Sequence, residues 1–333
     1  MEKSNRKEKR FIFEVNVPFS VLIRVLFVFL FLITYAKKAD AQQDSSFLLH
    51  KENITYDEKE GKISLPSFIY ADPVMKEIYV LDSRSRIIIY NADFFPIYTI
   101  DGRNGLYAPI GMTVDKDGKI YVAQAGSKTD LRKRITVLDA CLKFERNIFL
   151  SGFEGSASFT PFRLATDKKG YLYVVGMHFP GVLVLDRKYN IVDIMAPEEE
   201  GEKVKLNGIA VDKTGRIILL SEDKSRIYIY DENREFLLKF GQKGGSSGKL
   251  SRPKGIDVDE ATGMIYVADY MRHTITVYDE KGKFIFEFGG LGWSDGWFQH
   301  PNHVTVDFMG RILISDFFNN RIQVFVRSSS EIQ

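Results

Sequence analysis

Histidine is the residue type in this chain that could most directly do chemistry, and two histidines stand close together near its C-terminal end. In the stretch GWFQHPNHVTVD, residues 296–307, His300 and His303 bracket a proline. Histidine is the commonest metal ligand, but a zinc site needs three or four ligands about 2 Å from one ion. His178 and His273 stand on separate segments, and no H-x-x-x-H, H-x-H or C-x-x-C spacing occurs. The sequence therefore predicts neither a metal site nor a catalytic set.

The first 41 residues predict export from the cytoplasm. A basic opening, MEKSNRKEKR, precedes the apolar run VLFVFLFLITYA at residues 25–36, and Ala39-Asp40-Ala41 matches an A-x-A cleavage site. The alternative is an uncleaved membrane anchor formed by residues 17–36. On either interpretation the rest of the chain lies outside the cytoplasm, in a secreted, periplasmic or membrane-anchored protein.

The charge of residues 42–333 argues against nucleic acid as a partner. The leader holds eight of the 46 Lys and Arg and four of the 44 Asp and Glu, so the remainder carries a formal charge of −2. A surface that binds nucleic acid normally carries an excess of basic residues. The single cysteine, Cys141, leaves no internal disulfide and is interpreted as a small apolar filler.

The chain after the leader is a repeat, and the repeat predicts the elements that position any site. Six units begin near residues 66, 109, 161, 206, 253 and 301, and each has an aspartate six residues after its start. Each unit contains short segments rich in β-branched and aromatic residues, bounded by turn sequences such as DKDG and DKTG. Four strands repeated every ~45 residues are typical of one propeller blade. The predicted fold is all-β, a six-bladed β-propeller of four-stranded antiparallel blades.

The sixth unit lacks a fourth strand, because the chain ends soon after RIQVFV. The segment SSFLLHKE, which begins at residue 45, is similar to the fourth-strand sequence FLLKF of an earlier unit. We expect this N-terminal segment to complete the last blade and close the ring, which removes the open sheet edges.

The order P-x-G-I-A-V-D, I-Y-V-A-D and R-I-x-V-F in these units resembles the NHL repeat, over about residues 66–326. The Trp-Asp ending of WD40 blades is missing. The resemblance implies a rigid propeller that binds partners through its loops. Some related six-bladed propellers are metal-dependent lyases or lactonases whose histidines and acids converge on the channel, and only that alternative implies Zn or Ca as a cofactor.

Aligning the six first strands shows which polar residues should approach the central channel. Two residues after the start, three units have glycine, whereas the third and sixth have Arg163 and His303. Four residues after the start, the first and fifth units have Tyr70 and Asp257. Residues two apart in a strand point to the same side of the sheet, so the side chains at these two positions should point the same way. We expect these four residues to bind an anionic or oxygen-rich ligand at the channel mouth. The alternative is that they bond to channel water and fill a polar hole.

Aromatic residues of the fifth and sixth units should share the face that carries the linkers between blades. Trp293 and Trp297 stand in one linker, Tyr270 in the loop DYMRH, and Phe317 and Phe318 in the loop DFFNN. If these side chains are exposed, they would form a binding surface for a partner protein or a glycan. The alternative is that they pack inward over the blade edges. We expect the neighbouring Phe298 to pack inward.

The sequence as a whole favours an exported, non-enzymatic binding module for a protein, peptide or glycan. A metal-assisted lyase or lactonase at the channel mouth is the alternative function.

Overall fold

The structure is a computed structural model that describes residues 48–59, 61–126, 128 and 130–328. The predicted leader, residues 1–41, and the alternative anchor stretch 17–36 within it lie outside the described residues. No helix in the described ranges is long and apolar enough to cross a membrane.

Six four-stranded antiparallel sheets follow one another along the chain, and each is one blade of a propeller. The first described strand, β1 (Leu48–Ile54), belongs to the last blade. Blade one consists of β2 (Phe68–Asp72), β3 (Glu77–Asp82), β4 (Arg86–Tyr90) and β5 (Pro96–Ile100). Blade two consists of β6 (Pro109–Val114), β7 (Ile120–Gln124), β8 (Arg134–Leu138) and β9 (Phe144–Ile148). Blade three consists of β10 (Pro161–Thr166), β11 (Leu172–Gly176), β12 (Val182–Leu185) and β13 (Ile191–Met195).

The second half of the ring has the same order of strands. A two-stranded hairpin precedes blade four, formed by β14 (Glu198–Glu199) and β15 (Glu202–Lys203). Blade four consists of β16 (Gly208–Val211), β17 (Ile217–Ser221), β18 (Arg226–Tyr230) and β19 (Phe236–Phe240). Blade five consists of β20 (Pro253–Val258), β21 (Ile265–Asp269), β22 (Thr274–Tyr278) and β23 (Phe284–Gly289). Blade six consists of β24 (Pro301–Val306), β25 (Ile312–Asp316), β26 (Arg321–Arg327) and β1. Short 3-10 helices span Gly102–Asn104 and Phe317–Asn319.

The tight turns between first and second strands form for the predicted reason. In blade two the Asp115 carboxylate accepts hydrogen bonds from the backbone N–H groups of Asp117 and Lys119, each at 2.9 Å. Gly118 follows with φ of 80°, a conformation that costs glycine little. Asp212 closes the turn of blade four in the same way, with donors on Thr214 and Arg216.

The N-terminal strand closes the ring, as the sequence predicts. β1 pairs antiparallel with β26, from Leu48 opposite Arg327 to Ile54 opposite Ile322. Ile54 is buried in the core between blades six and one. Because β1 covers the edge of β26, the last blade receives its fourth strand from the opposite end of the chain.

The hydrophobic core lies between the blades. Six clusters of buried residues occur in the described chain, and each one joins two neighbouring blades. The two middle strands of each blade are buried along nearly their whole length, whereas the outer strands are partly exposed. Cys141 is exposed in the turn before β9, so its interpretation as a core filler is wrong.

Candidate functional site

The six first strands surround the central channel, and their inward side chains form layers along it. Two residues after each unit start, Gly111 and Gly255 bring neighbouring backbones into contact. A Cβ atom on Gly255 would lie 2.7 Å from the Cα of His303, and one on Gly111 would collide with the carbonyl oxygen of Phe162. Neighbouring first strands therefore pack closely at these two glycines, in the layer nearest the linkers between blades.

Three side chains meet across the channel at this layer and fill it. The ring of Phe68 lies 4.1 Å from the His303 ring, centroid to centroid. The Arg163 guanidinium lies 4.6 Å from the centre of the same Phe68 ring and 4.0 Å from that of Phe162. Its Nη1 also donates a hydrogen bond to the carbonyl oxygen of Ile110. Phe68, Arg163 and His303 are all buried, so we call them the channel plug.

Burial sets the charge of the plug. It lowers the pKa of Arg163 to about 9, which still leaves the guanidinium charged at neutral pH. The pKa of His303 lies well below its usual value, because burial and the nearby Arg163 charge both disfavour the imidazolium. Within the described chain, Nε of Arg163 and Nδ1 of His303 have no hydrogen-bond partner. The plug therefore carries one cation, held by cation–π contacts rather than by a carboxylate.

Below the plug the channel widens into a cavity of about 440 Å³. His303 belongs to its lining, together with the first strands of all six blades. The lining also includes turn residues between first and second strands, among them Pro73, Glu260 and Phe308. The cavity thus opens on the face of these turns and is closed on the face of the linkers.

Asp257 and Tyr70 line this cavity at the layer four residues after the unit starts. The Asp257 carboxylate accepts hydrogen bonds from Thr305 Oγ1 at 2.6 Å and from the backbone N–H of Val306 at 2.8 Å. Burial raises the pKa of Asp257 to about 6. Tyr70 Oη donates to the carbonyl oxygen of Val114 at 3.1 Å, and burial raises its pKa to about 12.

The four predicted channel residues therefore form two groups rather than one. Arg163 and His303 meet on Phe68 in the plug, whereas Asp257 and Tyr70 stand in the open cavity. Their role in ligand binding stays a prediction. Phe68 has the same position in its unit as Arg163 and His303, but its apolar side chain gives no sign in the sequence of a role at the site.

The predicted aromatic residues lie on the linker face. We call Tyr270, Trp293, Trp297, Phe317 and Phe318 the aromatic platform. Trp293 is 76% exposed and Trp297 is 50% exposed, so neither packs inward. Phe298, the residue after Trp297, is fully buried as predicted. His300 connects two members of the platform, with its ring 4.3 Å from that of Tyr270 and 5.3 Å from that of Phe318.

The linker that carries both tryptophans has a twin one blade earlier. The linker from β19 to β20, GQKGGSSGKLSR, aligns residue by residue with GGLGWSDGWFQH from β23 to β24. Equivalent backbone hydrogen bonds occur in both, from Lys249 N to Ser246 O at 3.0 Å and from Trp297 N to Ser294 O at 3.1 Å. The twin positions of Trp293 and Trp297 are Gly245 and Lys249. The same backbone thus forms without tryptophan.

Two histidines that no sequence motif connects are in contact in the structure. The rings of His273 and His300 lie 4.3 Å apart, and the His300 backbone N–H donates to His273 Nδ1 at 3.0 Å. Burial and the His300 ring lower the pKa of His273. His300 Nδ1 faces the carbonyl oxygen of Tyr270 at 3.0 Å, so that nitrogen carries the proton. The two residues come from different blades, 27 positions apart, which is why no short motif revealed them.

The structure supports neither a serine nucleophile elbow nor a metal cluster in the described residues. The linker sequence GGSSG, residues 244–248, matches the G-x-S-x-G pattern of nucleophile elbows. Ser246 lies in a turn between two strands, not in the strand-to-helix turn that an elbow needs. Among the described residues, no group of three or more His, Cys, Asp or Glu side chains could hold a metal ion.

No protein-family model matches this sequence, and neither does any curated protein. Solved structures are similar in fold. A streptogramin B lyase structure has a TM-score of 0.58 at 10% identity, covering 85% of this chain and 98% of that chain. A gluconolactonase from Xanthomonas campestris has a TM-score of 0.61 at 13% identity, covering 85% and 92%.

An auxiliary nutrient binding protein from Bacteroides ovatus has a TM-score of 0.62 at 15% identity, covering 85% of this chain and 77% of that chain. These three proteins include both enzymes and a binding protein, and identities this low show the fold alone. The chain is therefore a six-bladed β-propeller, and its resemblance to the NHL repeat is not confirmed by these comparisons.

Proposed function

We propose that this protein is an exported, non-enzymatic binding propeller that recognises a protein, peptide or glycan through the aromatic platform. The observation that carries the proposal is the pair of twin linkers. One linker forms its backbone with Gly245 and Lys249, and the other forms the same backbone while it exposes Trp293 and Trp297. The tryptophans are therefore not needed by the loop itself, and exposed tryptophan is typical of binding surfaces.

The neighbouring residues support recognition of a partner. Trp297 covers the backbone of Gly290 and Gly292, because a Cβ on either glycine would lie within 3 Å of its side chain. Asn319 donates to the carbonyl oxygen of Gly292 at 2.9 Å and so ties the linker to the loop that carries Phe317 and Phe318. An indole held in place in this way loses little conformational freedom when it binds a flat sugar ring or a side chain.

The two tryptophans allow a direct test, because they are the only tryptophans in the chain. Titration with soluble oligosaccharides and with a peptide library should change the intrinsic fluorescence when the correct class is added. The Trp293→Gly variant keeps Trp297 as a reporter and should weaken binding about tenfold or more. The double variant Trp293→Gly/Trp297→Lys, which copies the twin linker, should abolish binding when this is measured by calorimetry. Binding of the same ligand at unchanged affinity by the folded double variant would overturn the proposal.

A metal-assisted lyase or lactonase remains the alternative function, supported by the folds of two of the solved structures. The channel residues His303 and Asp257 belong to separate groups, one in the plug and one hydrogen-bonded to Thr305. Metal analysis of the purified mature protein separates the two functions. Stoichiometric, tightly bound Zn or Ca would favour the enzyme and contradict the binding proposal.

A further inference from the structure

We propose that the central cavity is a second binding site, independent of the aromatic platform, which takes a protonated organic amine on a small apolar body. The amine would pair with Asp257, and the apolar body would fill the space beside Ala165 and Ala210. The two sites are on opposite faces of the propeller, because the cavity opens among the turns and the platform lies on the linkers.

The shape of the cavity suits a small molecule that enters from one side. The channel plug forms its closed end, with Phe68, Arg163 and His303 all buried. The open end lies among the turn residues Pro73 and Ala261. A volume of about 440 Å³ falls within the range of known small-molecule pockets, ~300–1,000 Å³.

The middle layer of the cavity has a polar side and an apolar side. Tyr70, Thr113, Asp257 and Thr305 supply polar groups from blades one, two, five and six. Blades three and four supply Ala165 and Ala210 at the same layer, and small side chains here leave room for a ligand. Aliphatic residues such as Ile69, Leu164 and Ile256 also line the cavity, so Asp257 is the one charged group of the middle layer beside an apolar surface.

The charge on Asp257 has no counter-ion in the described chain. Its hydrogen bonds come from neutral donors, namely Thr305 Oγ1 and the backbone N–H groups of Val258 and Val306. It forms no ion pair with any described basic side chain. Asp257 is only partly exposed. A carboxylate partly removed from water without a cation is unfavourable, and a cationic ligand would supply the missing charge.

The fold does not require this charge. At two other interfaces, between blades one and two and between blades two and three, neutral side chains make the polar contacts, since Tyr70 Oη and Thr166 Oγ1 both donate to the carbonyl oxygen of Val114. A neutral residue could therefore join blades five and six as well. The carboxylate of Asp257 therefore adds a negative charge to the cavity that the contact between blades five and six does not need.

The other charged groups around the cavity favour a single cation at Asp257. Lys76 lies at the mouth with its Nζ 4.8 Å above the Phe308 ring, so its charge is directed to that ring. Glu260 at the mouth accepts a hydrogen bond from the Lys213 backbone at 2.9 Å. His303 at the closed end is neutral, because its pKa is well below the usual value.

Three probes of the same shape test the proposal: cyclohexylmethylamine, cyclohexylmethanol and cyclohexanecarboxylate, titrated at pH 7.5 and followed by calorimetry and saturation-transfer NMR. We expect the amine to bind at least tenfold more tightly than the alcohol, and the carboxylate not to bind. The Asp257→Asn variant should lose this preference. The Glu260→Gln variant removes a carboxylate at the mouth and should stay within about threefold of wild type.

A steric variant keeps the test decisive where Asp257→Asn does not fold. Ala165→Leu fills the apolar side without touching Asp257, and it should abolish amine binding while the protein stays folded by circular dichroism. Equal binding of amine and alcohol by the wild type, or unchanged amine binding in Asp257→Asn or Ala165→Leu, would overturn the proposal. Trp293→Gly/Trp297→Lys should bind the amine normally, so the failure of one site is distinguishable from failure of the other.

Discussion

Single positions in the first strands decide which end of the channel is open. Two residues after each start, glycine lets the backbones touch, and the larger Phe68, Arg163 and His303 fill the remaining space from other blades. Four residues after each start, Ala165 and Ala210 leave a cavity. The side chains at these positions thus decide whether a layer of the channel is filled or open.

The partly buried carboxylate of Asp257 should make stability depend on pH in a defined direction. Burial raises its pKa from 3.8 to about 6 in the folded protein. Because the folded pKa exceeds the unfolded one, this group stabilises the fold fully below pH 3.8 and loses that contribution as pH rises through 6. Relative to Asp257→Asn, the wild type should gain about 2 kcal/mol in free energy of unfolding between pH 7.5 and 4.5.

Urea denaturation of both proteins at the two pH values measures this change. Titration of other groups is shared by the wild type and the variant, so it cancels in the comparison. A difference that does not vary with pH would show that Asp257 titrates near its ordinary value in the folded protein.

At the scale of the element, the twin linkers separate residues that hold the loop from residues that the loop displays. Phe298 and its equivalent Leu250 are fully buried, whereas Trp297 is half exposed and Lys249 occupies its twin position. Phe298→Ala should therefore lower the free energy of unfolding by about 3–5 kcal/mol, since it leaves a cavity in the core. Trp297→Lys should change it by less than about 1 kcal/mol.

Thermal and chemical denaturation of the two variants check this contrast, with Leu250→Ala as the control in the twin linker. A large loss of stability in Trp297→Lys would mean that the indole packs as part of the core. The proposed binding role of the platform would then lose its main support.

At the scale of the whole molecule, the ring depends on a strand from the far end of the chain. β1 covers the edge of β26 and places Ile54 in the core between blades six and one. Deletion of residues 46–52 should destabilise the protein by more than about 4 kcal/mol relative to a chain that begins at residue 42, because an edge and a core surface become exposed.

Transfer of the same segment to the C-terminal end is the matched control. Leu48 stands opposite Arg327, so a short turn after β26 would return the segment to its place, and stability should recover. If deletion leaves the denaturation midpoint unchanged, blade six closes in another way.

The sequence by itself determined the architecture. Strand period, turn aspartates and the ~45-residue repeat predict six blades, and the leftover N-terminal segment predicts ring closure. These features are local or periodic, because each blade repeats the same pattern of buried and turn residues. The inward packing of Phe298 could be predicted for the same reason, from the buried Ile63, Leu106 and Leu250 at equivalent positions.

Only the tertiary structure decided which face the channel opens on, which tryptophans are exposed and which histidines meet. The plug joins side chains of blades one, three and six, and the contact of His273 with His300 joins blades five and six. Such contacts depend on how far side chains reach across the ring, and no spacing within one repeat encodes that distance. The four polar positions were recognised in the sequence, but their division into a closed plug and an open cavity follows from packing around the shared axis.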